Sequence, residues 1–254
     1  MNNNLKFKKS RLIVIVGGTG GIGLRIAKSF LVNGERVCIT YYKDKSYMKK
    51  IFFQNNSNRC FAYQVDVRND TSVKNVFKKI YIDHGNIDVI IFAPTAQTHF
   101  KAFPDKEWAN FKEHLDVQIK GLYLVVKNTI NQIIEKKYKI KFIILLTECC
   151  ISTPPAFLSD YITAKYGLMG LAKCLSVELA KYNCTVNMIS PGMTETNLLS
   201  NLPKKLIEIT ATKNLFKRIA KPEDVANATL FLASEGSGYL NGVNITVNGG
   251  NIML

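Results

Sequence analysis

Seven short runs of β-branched and aliphatic residues, alternating with longer stretches of helical spacing, restrict this chain more than any other feature of it. The runs are Leu12–Val16, Val37–Thr40, Phe61–Val65, Val89–Phe92, Phe142–Leu146, Thr185–Ile189 and Val243–Val247. Most are continuous runs rich in Val, Ile and Leu rather than alternations of apolar and polar residues. A strand of that kind is covered on both faces, which is the situation of a parallel sheet with helices above and below it. Between the runs, apolar residues return every three or four positions. They do so at Ile26, Ala27, Phe30 and Leu31 in the stretch Leu24–Val32, and at Val73, Val76, Phe77 and Ile80 behind an expected N-cap at Asp70 or Thr71. Further helices are expected from roughly Trp108 to Ile134, from about Tyr161 to Tyr182, and from Pro222 through Val225, Ala228, Leu230, Phe231 and Leu232. The expectation is an α/β fold: a doubly wound, mostly seven-stranded parallel sheet in three layers. One domain spans 11–254 behind a basic tail, 1–10. The single long excursion, 193–221, lies beyond the carboxyl end of a strand, where substrate lids are common.

Composition narrows the classes. With 254 residues and 47% hydrophobic content, the chain can bury a sizeable core and is not globally disordered. No apolar run approaches the ~20 residues of a bilayer span. The run behind the basic head is too short for a signal segment and enters a glycine loop, so a cytoplasmic protein is expected. The net charge of +15 suits anionic partners, although lysines are scattered and Lys136, Lys137, Lys139 and Lys141 read as a solvated helix end. No nucleic-acid-binding pattern accompanies that charge. The six cysteines form no CxxC pair and share no ligand spacing with His84, His99 or His114, so neither a metal site nor a disulfide frame is expected. The histidines read as loop or helix-surface residues, and Cys149-Cys150 as packing.

Gly17-Gly18-Thr19-Gly20-Gly21-Ile22-Gly23 joins the first strand to the first helix. Gly17 permits a tight turn, Gly21 lets backbone approach a pyrophosphate, and Gly23 lets helix pack on strand, while the helix N-terminus presents unpaired N–H groups to phosphate. The second strand ends in Thr40-Tyr41-Tyr42-Lys43, without the carboxylate that would accept from a ribose 2′-hydroxyl, and Asp44 comes late. Lys43 can meet a 2′-phosphate, so NADP(H) is favoured over NAD(H). Asp66, at the end of the third strand, is placed to accept from an adenine amino group, with Val67 packing on the ring; alternatively it caps the next helix.

Tyr161 and Lys165 lie four residues apart, one helical turn, so phenol and ammonium project from one face. A neighbouring ammonium is expected to lower the phenol's pKa, and such a tyrosine can exchange a proton with a carbonyl or alcohol oxygen during hydride transfer.

With these landmarks the chain resembles the short-chain dehydrogenases/reductases, in layout the 3-oxoacyl-[acyl-carrier-protein] reductase group. The resemblance runs from about Arg11 to the C-terminus. Beyond the glycine loop, Asp66-Val67 and Tyr161/Lys165, it rests on Asn187 with Pro191-Gly192 and Thr196, Arg218 with Pro222–Ala226, Phe231–Ser234, and Gly242 with Val247–Gly250. It implies a Rossmann-type sheet, a nicotinamide cofactor and a homotetramer or homodimer, with a paralogous subunit as a further option. It also implies Tyr161 as proton donor and Lys165 as ribose ligand, with Ala93 and Pro94 after the fourth strand, and Pro191, Gly192, Thr194 and Thr196, along the cofactor. The departures gather at the reacting end. The usual serine thirteen residues before the tyrosine is Glu148, beside Thr147, the usual relay asparagine is Gln118, and the usual Asn-Asn-Ala-Gly after the fourth strand is Phe92-Ala93-Pro94-Thr95. Asn248 replaces an aspartate, and two arginines of carrier-linked reductases align with Asn131 and Val177.

Three readings follow. Thr147, or a protonated Glu148, supplies the missing hydrogen bond while Gln118 holds the water, and the protein reduces a carbonyl of a small or carrier-bound substrate such as a β-ketoacyl thioester. Alternatively, Glu148 acts as a second acid or base in a dehydration or isomerisation, an arrangement similar to the sugar-nucleotide dehydratases. In the third reading the chain binds cofactor or a partner subunit and does little chemistry.

Overall fold

In a computed structural model of the chain, which describes residues 10–43, 57–196, 199 and 202–253, seven strands form one parallel sheet in the order β3-β2-β1-β4-β5-β6-β7. They are β1 (Leu12–Val16), β2 (Arg36–Tyr41), β3 (Cys60–Gln64), β4 (Val89–Phe92), β5 (Lys141–Leu145), β6 (Thr185–Pro191) and β7 (Asn244–Val247). The order reverses between β1 and β4, so the crevice beyond their carboxyl ends is the topological switch point at which such sheets bind ligands. The basic tail lies almost wholly outside the described residues, as do Asp44 and parts of the lid segment.

The sheet is covered as its uninterrupted apolar runs require. All five residues of β1 and all four of β4 are buried. Leu12, Val14 and Val16 face helices α2 (Asp70–His84), α4 (Gly121–Lys136) and α5 (Ser159–Glu178), packing with Phe77, Val125 and Leu168. The alternate residues Ile13 and Ile15 face α1 (Gly21–Val32) and α7 (Pro222–Ala233), against Phe30 and Val225. Each such aliphatic or aromatic side chain contributes roughly 1.5–3 kcal/mol when fully buried. Two further helices, α3 (Trp108–Leu115) and α6 (Lys204–Lys213), complete the fold, the second within the 193–221 excursion.

Several local expectations are corrected. The cap of α2 is Asn69, whose side chain accepts from the Ser72 amide at 2.9 Å, one residue ahead of Asp70. β3 runs one residue earlier than expected, Cys60–Gln64 rather than Phe61–Val65, and Asp66 follows it. The expected helix from Trp108 to Ile134 is interrupted by a π-helical turn, Asp116–Lys120, that divides α3 from α4; periodicity cannot reveal one inserted residue per turn. Lys141 is no solvated helix end: it opens β5, and its ammonium donates to Ser234 O and Ser237 Oγ, both at 2.7 Å.

Candidate active site

The glycine turn is shaped by what surrounds it. Gly17 adopts φ +77°, and a Cβ there would stand 2.9 Å from Pro94 N. At Gly23 a Cβ would lie 2.7 Å from Gly17 O, and at Gly21 2.8 Å from Thr196 Cγ2. Gly20 caps α1 in extended conformation with no side-chain cap, and no acid occupies the first turn. The amides of that turn therefore keep their donor capacity and their share of the helix dipole for an anion. Ile22 contributes backbone, since its side chain packs on the core beneath.

The turn opens on a 310 Å³ cleft that gathers Gly17, Thr19, Gly20, Tyr42, Asp66, Val67, Ala93 and Pro94. A small-residue cradle, uncapped amides and an apolar slot beside a carboxylate fit a dinucleotide. Pro191 closes β6, Gly192 donates to Val247 O at 3.0 Å, and the Thr194 hydroxyl donates to Gly192 O at 2.8 Å. Thr196 brings this segment against the first turn of α1. Lys43 is exposed at the rim, its ammonium 5.1 Å from the Tyr42 ring centroid.

One placement differs from expectation. The Asp66 carboxylate is already engaged: Arg68 Nε and Nη2 donate to Oδ1 and Oδ2, each at 2.9 Å. That guanidinium, together with the Arg68 amide, holds the carboxyl below its usual range despite partial burial.

At the reacting end, Tyr161 and Lys165 occupy the first two turns of α5. The Lys165 ammonium is 3% exposed and donates to Leu145 O, at the end of β5, at 2.7 Å. Burial lowers its pKa from 10.5 to about 8, with no carboxylate to oppose it. The ammonium sits 5.7 Å from the Tyr161 ring centroid. Contrary to expectation, the phenol is not made acidic. Burial, then the neighbouring Cys149, push its pKa up, and the nearby Thr147 hydroxyl pulls in the other direction. Tyr161 is thus fully protonated at neutral pH.

Glu148 is not brought to the phenol. Both its carboxylate oxygens accept from Asn251 Nδ2, at 3.3 and 3.2 Å, in the C-terminal segment, and Oε1 lies against Gly192. The short 3-10 turn Glu148–Cys150, capped by Thr147, aims consecutive side chains in different directions.

Gln118 is fully buried because the π turn rotates it inward, and it pairs with His114 Nδ1 at 3.3 Å. His114 corrects the surface reading of the histidines: it is 1% exposed, and its ring meets that of Tyr161 edge-on at 5.8 Å. Burial lowers its pKa, against the opposing charge of Asp160. Asp160 Oδ1 accepts from Lys106 Nζ at 2.6 Å and from the Tyr161 amide at 2.9 Å. Lys106 and Asp160 are each 1% exposed. Beside them the buried atoms His114 Nε2, Gln118 Oε1, Ser159 Oγ and Asp160 Oδ2 have no protein partner, the kind of group that ordered water satisfies. The sequence reading missed Arg68, His114, Lys106 and Asp160. The i, i+4 spacing of His114 and Gln118 was a usable signal; the Lys106–Asp160 pair crosses 54 positions and had none.

Sheet order, glycine turn and the Tyr161/Lys165 pair define a dinucleotide-binding oxidoreductase fold. A family model described as enoyl-(acyl carrier protein) reductase matches residues 17–251, and the chain belongs to this family of short-chain dehydrogenases/reductases. It is 28% identical to short-chain dehydrogenase reductase 3b of Arabidopsis thaliana over 94% of this chain and 95% of that protein. It is also 28% identical to the 3-oxoacyl-[acyl-carrier-protein] reductase FabG of Aquifex aeolicus, over 95% of this chain and 97% of the relative. Among solved structures, ElxO with NADP bound superimposes with a TM-score of 0.86 at 22% identity, covering 95% of this chain and 98% of that one. Among the described residues no helix is long and apolar enough to cross a membrane, and no cluster of three or more His, Cys, Asp or Glu could hold a metal.

Proposed function

We propose that the protein is an NADP(H)-dependent carbonyl reductase whose proton donor is Tyr161, acting on a β-ketoacyl thioester or a related small or carrier-bound carbonyl. The observation that carries this reading is the placement of the Thr147 hydroxyl near the Tyr161 phenol, with the Lys165 ammonium beside the same ring. Two hydroxyls converge where a carbonyl oxygen would be received, although the serine position of the family holds an acid. Gly17, Thr19, Gly20, Gly21, Ile22 and Gly23 would hold the cofactor's pyrophosphate, Tyr42, Lys43, Asp66 and Val67 its adenosine end, and Ala93, Pro94, Pro191, Gly192, Thr194 and Thr196 the remainder. When bound, the nicotinamide supplies the hydride. Tyr161, protonated at neutral pH, gives its proton to the carbonyl oxygen. Thr147 holds that oxygen in line, and the Lys165 ammonium favours the phenolate that remains. Gln118 and His114, each with an unpartnered buried polar atom, would hold the water from which the phenol is reprotonated.

The basic surface complements an acidic carrier protein, and the relatives named as carrier-protein reductases support that substrate class. Exposed Tyr123 on α4, with Tyr166 and Val177 on α5, supports assembly as a homodimer or homotetramer. A cytoplasmic location goes with this reading. Glu148, tied to Asn251, favours neither the dehydratase reading nor a non-catalytic one. The test is NADPH oxidation with a short β-ketoacyl thioester. Tyr161→Phe is expected to lower kcat by about 10²–10⁴-fold while NADPH still binds, and Thr147→Ser to retain far more activity than Thr147→Ala. A fully active Tyr161→Phe enzyme refutes the assignment.

A further inference from the structure

At the adenosine end of the cleft one side chain does more than the sequence suggests. Arg68 reaches from the loop after β3 back to the end of β2. While Nε and Nη2 grip Asp66, Nη2 also donates to Tyr42 Oη at 2.6 Å, and the guanidinium lies 4.9 Å from the Tyr42 ring centroid. Asp66, Arg68 and Tyr42 all line the same cleft, so this bridge runs across the slot between the two strand ends. With the bridge closed both Asp66 oxygens are engaged, so the carboxylate has less acceptor capacity left for an adenine amino group.

We propose that Arg68 is a phosphate-recognising clasp, which leaves Asp66 for a phosphomonoester on the adenosine 2′-oxygen and thereby frees the carboxylate to accept from the base. This rests on the dinucleotide reading above and names a determinant of its phosphate selectivity. Three features make the exchange favourable. The Arg68–Asp66 pair is about one-third exposed, with side chains 31% and 30% accessible, so solvent screens it and it opens easily. A phosphomonoester carries nearly two charges and three acceptor oxygens, and a planar guanidinium fork binds it bidentately. Tyr42 keeps the guanidinium stacked at the strand end during the exchange, with Lys43 over the same ring as a second cation. A second phosphomonoester on a 5′-phosphorylated adenosine sits at the 2′ or at the 3′ oxygen. The clasp is built at the end of β2, and the 2′ form is the occupant proposed.

The test is calorimetric titration of the whole protein with adenosine 2′,5′-bisphosphate, adenosine 3′,5′-bisphosphate and 5′-ADP, in wild type and in Arg68→Ala and Arg68→Lys, with thermal melts to verify folding. Wild type is expected to bind the 2′,5′ compound at least about tenfold more tightly than the other two. Arg68→Ala should weaken 2′,5′ binding by about 10–100-fold and leave 5′-ADP within about twofold, since Asp66 is then free. Arg68→Lys should recover only part, because an ammonium lacks the fork. An Arg68→Ala protein with unchanged 2′,5′ affinity overturns the proposal, as does an equal loss for all three ligands or a wild type that prefers the 3′ form. If wild type binds none of them, the dinucleotide reading itself fails, and the clasp with it.

Discussion

Lys165→Met is expected to make this protein more stable while removing its activity. The ammonium is 3% exposed and, among the described residues, hydrogen-bonded to Leu145 O alone, and burial lowers its pKa from 10.5 to about 8. At about 1.4 kcal/mol per pH unit, that displacement is a penalty of roughly 3 kcal/mol whenever the folded protein holds the charge. Methionine keeps the length and apolar stem, loses the charge, and forfeits one hydrogen bond worth about 1–2 kcal/mol. The net gain at pH 7 is therefore about 1–2 kcal/mol. The sign follows from proton binding. Below pH 8 both folded and unfolded wild type carry the proton, and the penalty is complete. Between pH 8 and 10.5 the unfolded chain keeps a proton that the folded one has released, so wild-type stability rises with pH. Near pH 10.5 the advantage of the variant should be gone, and its missing hydrogen bond should leave it the less stable of the two. Urea unfolding of both proteins at pH 7, 9 and 10.5 reads this directly. A variant less stable than wild type at pH 7, or a difference that does not change with pH, would show that the ammonium is not desolvated and that its assigned environment is wrong.

Three further outcomes are expected. Lys106→Met should destabilise the fold by about 3–5 kcal/mol by leaving Asp160 charged and unpaired in the interior, whereas Lys106→Met with Asp160→Asn should recover most of that loss in urea unfolding; equal damage from both would mean that packing, not charge, is at stake. Gly23→Ala should cost about 1–3 kcal/mol and weaken nucleotide binding, since its Cβ would stand 2.7 Å from Gly17 O. In the same melts Gly170→Ala, within α5 and with open space around it, should stabilise by about 0.5–1 kcal/mol.

Sequence alone determined the architecture. The uninterrupted apolar runs could be satisfied only by covering both faces of a sheet, and helical spacing between them supplied the covers, which is why β1 and β4 match their expected limits to the residue. It also determined the glycine turn and the pairing of Tyr161 with Lys165, because spacing within one turn or one helix is local geometry. What tertiary structure decided was direction and environment. Thr147 meets the phenol and Glu148 leaves it because a short capped turn separates adjacent side chains. The phenol's pKa rises instead of falling because burial outweighs a lysine that donates elsewhere. Arg68 reaches Tyr42, and Lys106 reaches Asp160, across strand ends and loops that only the folded sheet brings together. Periodicity records which face a residue takes; desolvation and long-range charge pairing depend on neighbours far away in the chain, and these exist only once it has folded.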